Sequence, residues 1–142
     1  MLLNPLELMK RNEMKKDDRF LQIAIAAAKE AGRIQMLHFG HSHPVQYKEK
    51  FNPVTEVDRL CDRVIGEMIS GAFPDHDILT EESPFEGKGS PWKWIIDPLD
   101  GTTNYFHGFP CFCVSIGLEV EGEIRIGVVY VPALNELFHA ER

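Results

Sequence analysis

This 142-residue chain has no apolar run approaching the ~20 residues that a helix needs to cross a bilayer, so no membrane partner is expected. It has no excess of positive charge. Its 15 Lys and Arg stand against 22 Asp and Glu, a formal net charge of −7, and the basic footprint of a nucleic-acid binder is missing. Cysteine is scarce: Cys61, Cys111 and Cys113 are too few, and odd in number, for a disulfide framework. Cys111 and Cys113 are spaced to share one strand face, and no second pair completes a zinc site. All three read as buried thiols of a reducing compartment, which makes a cytoplasmic location the expectation. The first sixteen residues, through Lys16, lack a signal-peptide core. They read as a flexible tail, residues 1–16, ahead of one domain over 17–142, with Met14 a candidate start. There is no internal repeat, no low-complexity linker and no Ser-His-Asp or Cys-His arrangement for nucleophilic catalysis.

What is present suffices for a real core. Hydrophobic residues make up 44% of the chain, and the length suits one ordinary domain. From Asp18 to about Phe39 the pattern is helical, with Phe20, Ala24, Ala27, Ala31, Ile34 and Leu37 in one stripe and Gly40 as the stop. His38, His41 and His43 follow without a carboxylate and read as loop residues rather than a metal site; Pro44 to Phe51 reads as a short extended segment. A second helix is expected from Thr55 to about Gly71, burying Val57, Leu60, Cys61, Val64, Ile65, Met68 and Ile69. Ile78-Leu79-Thr80 reads as a strand ending in Glu81-Glu82, and Trp94-Ile95-Ile96 as a strand ending in Asp97. Beyond Phe112 the period changes to two: Phe112, Val114, Ile116, Leu118 and Val120, then Ile124, Ile126, Val128 and Tyr130. Turns at Glu121-Gly122-Glu123 and Pro132–Asn135 make an antiparallel meander. Helices first and a sheet afterwards define an α+β architecture.

The chemistry concentrates in Trp94-Ile95-Ile96-Asp97-Pro98-Leu99-Asp100-Gly101-Thr102-Thr103-Asn104. Asp97 sits at a strand end, and Asp100 follows it within a tight bend that Gly101 permits. Thr102 and Thr103 suit a helix start, where hydroxyls cap and free N–H groups attract anions. Two carboxylates, the Leu99 carbonyl and a helix start together suit a divalent metal and a phosphate. Glu81 and Asp97 both end predicted strands, and they meet if those strands are neighbours. Asp58 has a plain alternative as the partner of Thr55 in a helix-capping box. Glu82 reads as a solvated neighbour of Glu81, Asn104 as a turn stabiliser and His107 as a rim residue.

That segment, with Asn52-Pro53-Val54-Thr55-Glu56-Val57-Asp58 and Leu79-Thr80-Glu81-Glu82-Ser83 upstream and Tyr105-Phe106-His107-Gly108-Phe109-Pro110 downstream, resembles the inositol monophosphatase family of Mg²⁺-dependent, lithium-sensitive phosphatases. The resemblance implies a layered α/β sandwich of the inositol monophosphatase and fructose-1,6-bisphosphatase type. It implies that Glu81, Asp97 and the Leu99 carbonyl hold a first Mg²⁺, that Asp97 and Asp100 hold a second, and that a complete site takes two or three ions. Glu81 and Thr102, the latter paired with Asp58, would orient the attacking water, and Gly101, Thr102 and Asp100 would meet the substrate phosphate. Lys48 lies where the family often has a basic residue, but the alignment there is loose and it is left out of the site. The implied activity is hydrolysis of a phosphate monoester, inositol 1-phosphate first, by a cytoplasmic homodimer.

The resemblance covers nearly all of this chain and about half of a family member. The family's other half carries a Trp-Asp motif that completes the second metal site. The chain therefore reads as an N-terminal fragment with an incomplete metal site, expected to be weakly active or inactive alone. Two alternatives stay open. One is a relative acting on fructose 1,6-bisphosphate, NADP or a nucleotide bisphosphate; the other is a non-catalytic, partner-binding role in transcription or RNA assembly.

Overall fold

Alanines at Ala24, Ala27, Ala28 and Ala31 leave one side of the first helix nearly flat, and all four are fully buried. A second helix can then approach closely enough for the Cys61 thiol to donate to the Ala31 carbonyl at 3.5 Å. The computed structural model describes residues 5–40 and 56–142. Their elements run α1 (Pro5–His38), α2 (Glu56–Ala72), β1 (Asp77–Thr80), β2 (Trp92–Asp100), α3 (Thr102–Phe106), β3 (Cys113–Val120), β4 (Glu123–Val131) and β5 (Glu136–Glu141). His41, His43, the extended segment to Phe51, Lys48 and the Asn52–Thr55 part of the first motif lie outside the described residues, and so does the Thr55 cap.

Helix α1 starts at Pro5 rather than Asp18. Proline is well suited to a first helical position, and the Leu, Glu, Met, Lys and Arg that dominate the next residues are good helix formers. Its stop is as the sequence indicates, with Gly40 at φ +79° just past His38. The last turn departs from the expected stripe: Leu37 is 60% exposed and Gln35 is buried in its place. Helix α2 buries Val57, Asp58, Cys61, Ile65 and Ile69.

The five strands form one sheet in the order β1-β2-β3-β4-β5. β2 to β5 are an antiparallel meander, and β1 adds to β2 in parallel. This mixed sheet after two long helices is the α+β arrangement the sequence implies. Trp94, Ile96, Val114, Ile116, Leu118, Ile126 and Val128 alternate with less buried neighbours and join the helices' apolar residues in one core. The β3–β4 hairpin turns through Glu121 and Gly122, both with positive φ, the geometry a two-residue hairpin favours. A bulge at Leu118–Glu119 sets Glu119 opposite Ile124, and Ile124 is half exposed instead of continuing the buried row. The thiols also differ from expectation. Only Cys61 is buried, Cys113 is intermediate, and Cys111 is exposed ahead of β3, so the latter two share no strand face.

Candidate active site

The parallel pairing of β1 with β2 decides where the acids go. Thr80 stands opposite Ile96, so the two strands deliver Glu81 and Asp97 side by side at the same end. The Glu81 N–H donates to the Ile96 carbonyl at 3.3 Å, and the Glu81 carboxyl stands close enough to push the Asp97 carboxyl up. The condition for the two strand ends to meet, that their strands be neighbours, is fulfilled. The turn after β1 is fastened from two sides. The Ser83 N–H donates to Thr80 Oγ1 at 3.0 Å, and the Ser83 hydroxyl donates to Asp62 Oδ2 at 2.8 Å. Asp62 lies one turn along α2 from Asp58, so the helix carrying Asp58 also grips the loop carrying Glu81 and Glu82.

Beyond Asp97 the β2–β3 ladder slips. Asp97 faces Ser115 and Asp100 faces Cys113, three steps on β2 against two on β3. This bulge takes Pro98 and Leu99 out of the regular ladder, which is where sheets re-aim side chains. The Leu99 N–H turns back to Asp97 Oδ1 at 3.3 Å, and Asp100 Oδ2 lies 3.9 Å from the Cys113 sulfur. Gly101 follows at φ +87°, and a Cβ there would meet the Cys111 carbonyl oxygen at 2.8 Å, so only glycine makes this bend without strain. Thr102 opens α3, which has Gly101 as its N-cap and no side-chain cap hydrogen bond. The expected hydroxyl cap is absent at this helix start, because the left-handed glycine already turns the chain.

Electrostatics mark these acids as one cluster. Asp58 is buried on α2, and its carboxyl is pushed up to about 8, first by burial and then by Glu82, Asp97 and Glu81. Asp97 is pushed up to about 6 by burial, then by Glu81 and Asp100, while the Leu99 N–H pulls it down. Burial and Asp100 likewise raise the Cys113 thiol to about 11. Glu82 shares a hydrogen bond with Asp58. Half-buried Glu82 therefore stands with the cluster, while Asp62, which holds Ser83, and Gln35, which holds the Pro98 carbonyl, are neighbours the sequence reading does not single out. A 470 Å³ hollow lined by Phe73, His76, Lys88 and Trp92 opens at the opposite ends of β1 and β2, and none of the predicted site residues lines it.

Crowding of this kind has a measurable cost. A carboxyl held above its ordinary value of 3.8 keeps its proton longer in the folded chain than in the unfolded one. Its contribution is therefore fully present below about pH 4 and is lost as pH rises through the folded value near 8. In chelator, the urea midpoint of the chain should fall between pH 5 and pH 8.5, and Asp58→Asn should flatten that fall. A variant that tracks the parent across the range would show that Asp58 is not the strained group.

Whether the cluster suits a cation depends on donor chemistry. Among the described residues no three His, Cys, Asp or Glu side chains stand in an arrangement that could hold a metal ion, so the acids form an open set rather than a closed cage. Their chemistry nonetheless fits a hard divalent ion: the donors are carboxylate and carbonyl oxygens, and Asp58 and Asp97, raised first by burial and then by neighbouring acids, carry a repulsion that a cation would relieve.

This fold and this acid-lined sheet end define the class. A model of the inositol monophosphatase family matches residues 16–142, and the chain belongs to that family. It is 44% identical over 123 residues to a histidinol-phosphatase of Chlorobaculum parvum, covering 86% of this chain and 48% of that protein. It is 46% identical over 125 residues to the Nus factor SuhB of Pasteurella multocida, covering 86% and 47%. Among solved structures it superimposes on an IMPase from Thermotoga maritima with a TM-score of 0.78 at 42% identity, covering 88% of this chain and 48% of that one. The chain thus spans about half the length of the curated relatives it matches. Among the described residues no helix is long and apolar enough to cross a membrane.

Proposed function

We propose that this chain carries the acidic centre of a Mg²⁺-dependent phosphate monoester hydrolase, with inositol 1-phosphate as the leading substrate. The observation that supports it most is the convergence of Asp58, Glu81, Glu82 and Asp97, with Asp100 adjacent, at one end of the β1–β2 pair. Glu81, Asp97, Asp100 and the Leu99 carbonyl are the groups that would hold Mg²⁺, two or three ions in a complete site. A metal bound there would supply screening of the phosphate charge, a more acidic water and stabilisation of the leaving oxygen. The chain's own groups do the rest. Glu81 orients the attacking water and accepts its proton, with Thr102 at the start of α3 and Asp58 on α2 helping to fix that water. The N–H groups of Gly101 and Thr102, freed by the left-handed bend, receive the phosphate oxygens beside Asp100.

The test is phosphate release from inositol 1-phosphate, with histidinol phosphate for comparison, in Mg²⁺ and in EDTA. Any release should be abolished by EDTA, with inositol 1-phosphate preferred. Release that EDTA leaves intact would overturn the proposal, whereas a folded chain that hydrolyses neither ester would show that the acids gathered here do not suffice for turnover by themselves. Homodimer formation, lithium inhibition and a cytoplasmic setting accompany this reading. The similarity to the Nus factor SuhB favours one second reading, in which the chain binds a transcription partner without turnover. A partner captured equally well in EDTA and by Asp97→Asn would speak for it.

A further inference from the structure

Gln35 is a polar residue in a place the apolar stripe of α1 should occupy. It is fully buried, and burying an amide is tolerated only where it is hydrogen-bonded. Its Nε2 donates to the Pro98 carbonyl at 2.8 Å. Its own backbone carbonyl accepts from the buried Tyr105 hydroxyl at 2.7 Å, which ties this turn of α1 to α3. Its Oε1 is buried with no partner among the described residues, a cost that an apolar residue of the same size would avoid.

The Pro98 carbonyl needs such a donor because the β2 bulge has taken Pro98 and Leu99 out of the ladder with β3. The peptide that follows is planar and trans, so its C=O and N–H point in opposite directions. Holding the Pro98 carbonyl inward against Gln35 therefore turns the Leu99 N–H outward, and that N–H donates to Asp97 Oδ1. The result is a continuous relay: the Gln35 amide, the Pro98–Leu99 peptide, the Asp97 carboxylate. Hydrogen bonds in such a chain polarise one another, and the acceptor's orientation is set by a group it never touches.

We propose that Gln35 is a positioning residue for Asp97, acting through the Pro98–Leu99 peptide and so setting the affinity of the acidic centre for a divalent cation. This rests on the reading of Asp97 as a metal ligand. The sequence position is equally apt: Gln35 lies four residues beyond Ala31 on the face of α1 that meets the sheet, where a hydrocarbon would pack as well but could not orient a peptide.

The experiment is made on the 142-residue chain. Gln35→Met keeps length and shape, removes the donor and also removes the partnerless Oε1, so the fold should persist. Two readouts separate positioning from packing. In the metal-free chain the Leu99 amide proton should move upfield and exchange about tenfold faster, while the other β2 amides hold. With Mn²⁺ as probe, the dissociation constant should rise about tenfold, the scale on which groups behind metal ligands act. Asp97→Asn should raise it further, and the double variant should bind no more weakly than Asp97→Asn alone. If Gln35→Met does not fold, Tyr105→Phe, which removes one anchor of the Gln35 turn, should change both readouts in the same direction at smaller amplitude.

An unmoved Leu99 amide overturns the inference. So does an Mn²⁺ affinity within twofold of the parent when Asp97→Asn has weakened it at least tenfold; in that case Asp97 remains a ligand and Gln35 is only core. If instead Asp97→Asn binds Mn²⁺ as the parent does, the metal reading itself fails and the inference falls with it.

Discussion

In a protein with the complete metal site, Asp97→Asn should lower Mg²⁺-dependent phosphate release by on the order of 10³-fold or more while leaving the fold intact. Asn keeps the shape of the side chain and one oxygen able to accept from the Leu99 N–H, the contact that ties the loop to β2. It removes the charge, and a hard dication bound through oxygens depends on charge more than on shape. The same loss is harmless, or helpful, to folding. Asp97 stands beside Glu81 and Asp100, which with burial push its carboxyl up to about 6, so a neutral residue relieves repulsion that the metal-free chain must bear. The expected pair of results is turnover lost and thermal midpoint unchanged or raised by a few degrees. Loss of turnover with a matching loss of stability would point to a structural role instead. Unchanged turnover would refute Asp97 as a ligand.

How far the sequence could be read depended on whether a feature was local. Gly40 ending α1, the alternation from Val114 to Leu118, and the Glu121-Gly122 hairpin are all set by neighbours in the chain, and each appears as expected. The carboxylates Glu81 and Asp97 were legible as strand ends for the same reason. Their meeting was not, because it depends on β1 adding to β2 in parallel, a pairing that no local period encodes. Glu82, read as a solvated neighbour of Glu81, is half-buried and also faces Asp58, because α2 brings that residue up to it. Gln35 was invisible to a search for apolar stripes, since its burial answers a carbonyl orphaned by a bulge 63 residues away. The one available signal was its spacing of four from Ala31. The early start of α1 could have been weighed from Pro5 and the helix-forming residues after it, but amphipathic periodicity begins only at Phe20 and drew the boundary there.

Trp94→Ala should remove about a third or more of the stability of the chain. The residue is fully buried in β2, between Ile78 of β1 and Leu118 of β3. Its ring stacks on Phe73 at 5.8 Å and meets Phe20 edge-on at 6.3 Å, and its Nε1 donates to His76 Nδ1 at 3.0 Å. Truncating a buried Trp costs roughly 3–5 kcal/mol through lost transfer energy and an unfilled cavity. Domains of this kind have about 5–15 kcal/mol in all, so the urea midpoint should fall by about a third or more. Trp94→Phe separates the two contributions. It retains much of the ring packing and gives up the indole N–H, so it should cost less than the alanine, about 1–2 kcal/mol for the hydrogen bond with a smaller addition for the lost ring volume. If Trp94→Ala loses no more than Trp94→Phe, the hydrogen bond to His76 carries the effect and the packing does not. The consequence reaches the site because β2 is one continuous strand: Trp94 seats it between β1 and β3, and Asp97 occupies its far end. A strand that slips by one residue turns every side chain to the opposite face, so loosening Trp94 would part Asp97 from Glu81 before the chain unfolds. Divalent-cation affinity should accordingly decay ahead of the circular-dichroism signal as Trp94→Ala is warmed, whereas the parent should lose both together.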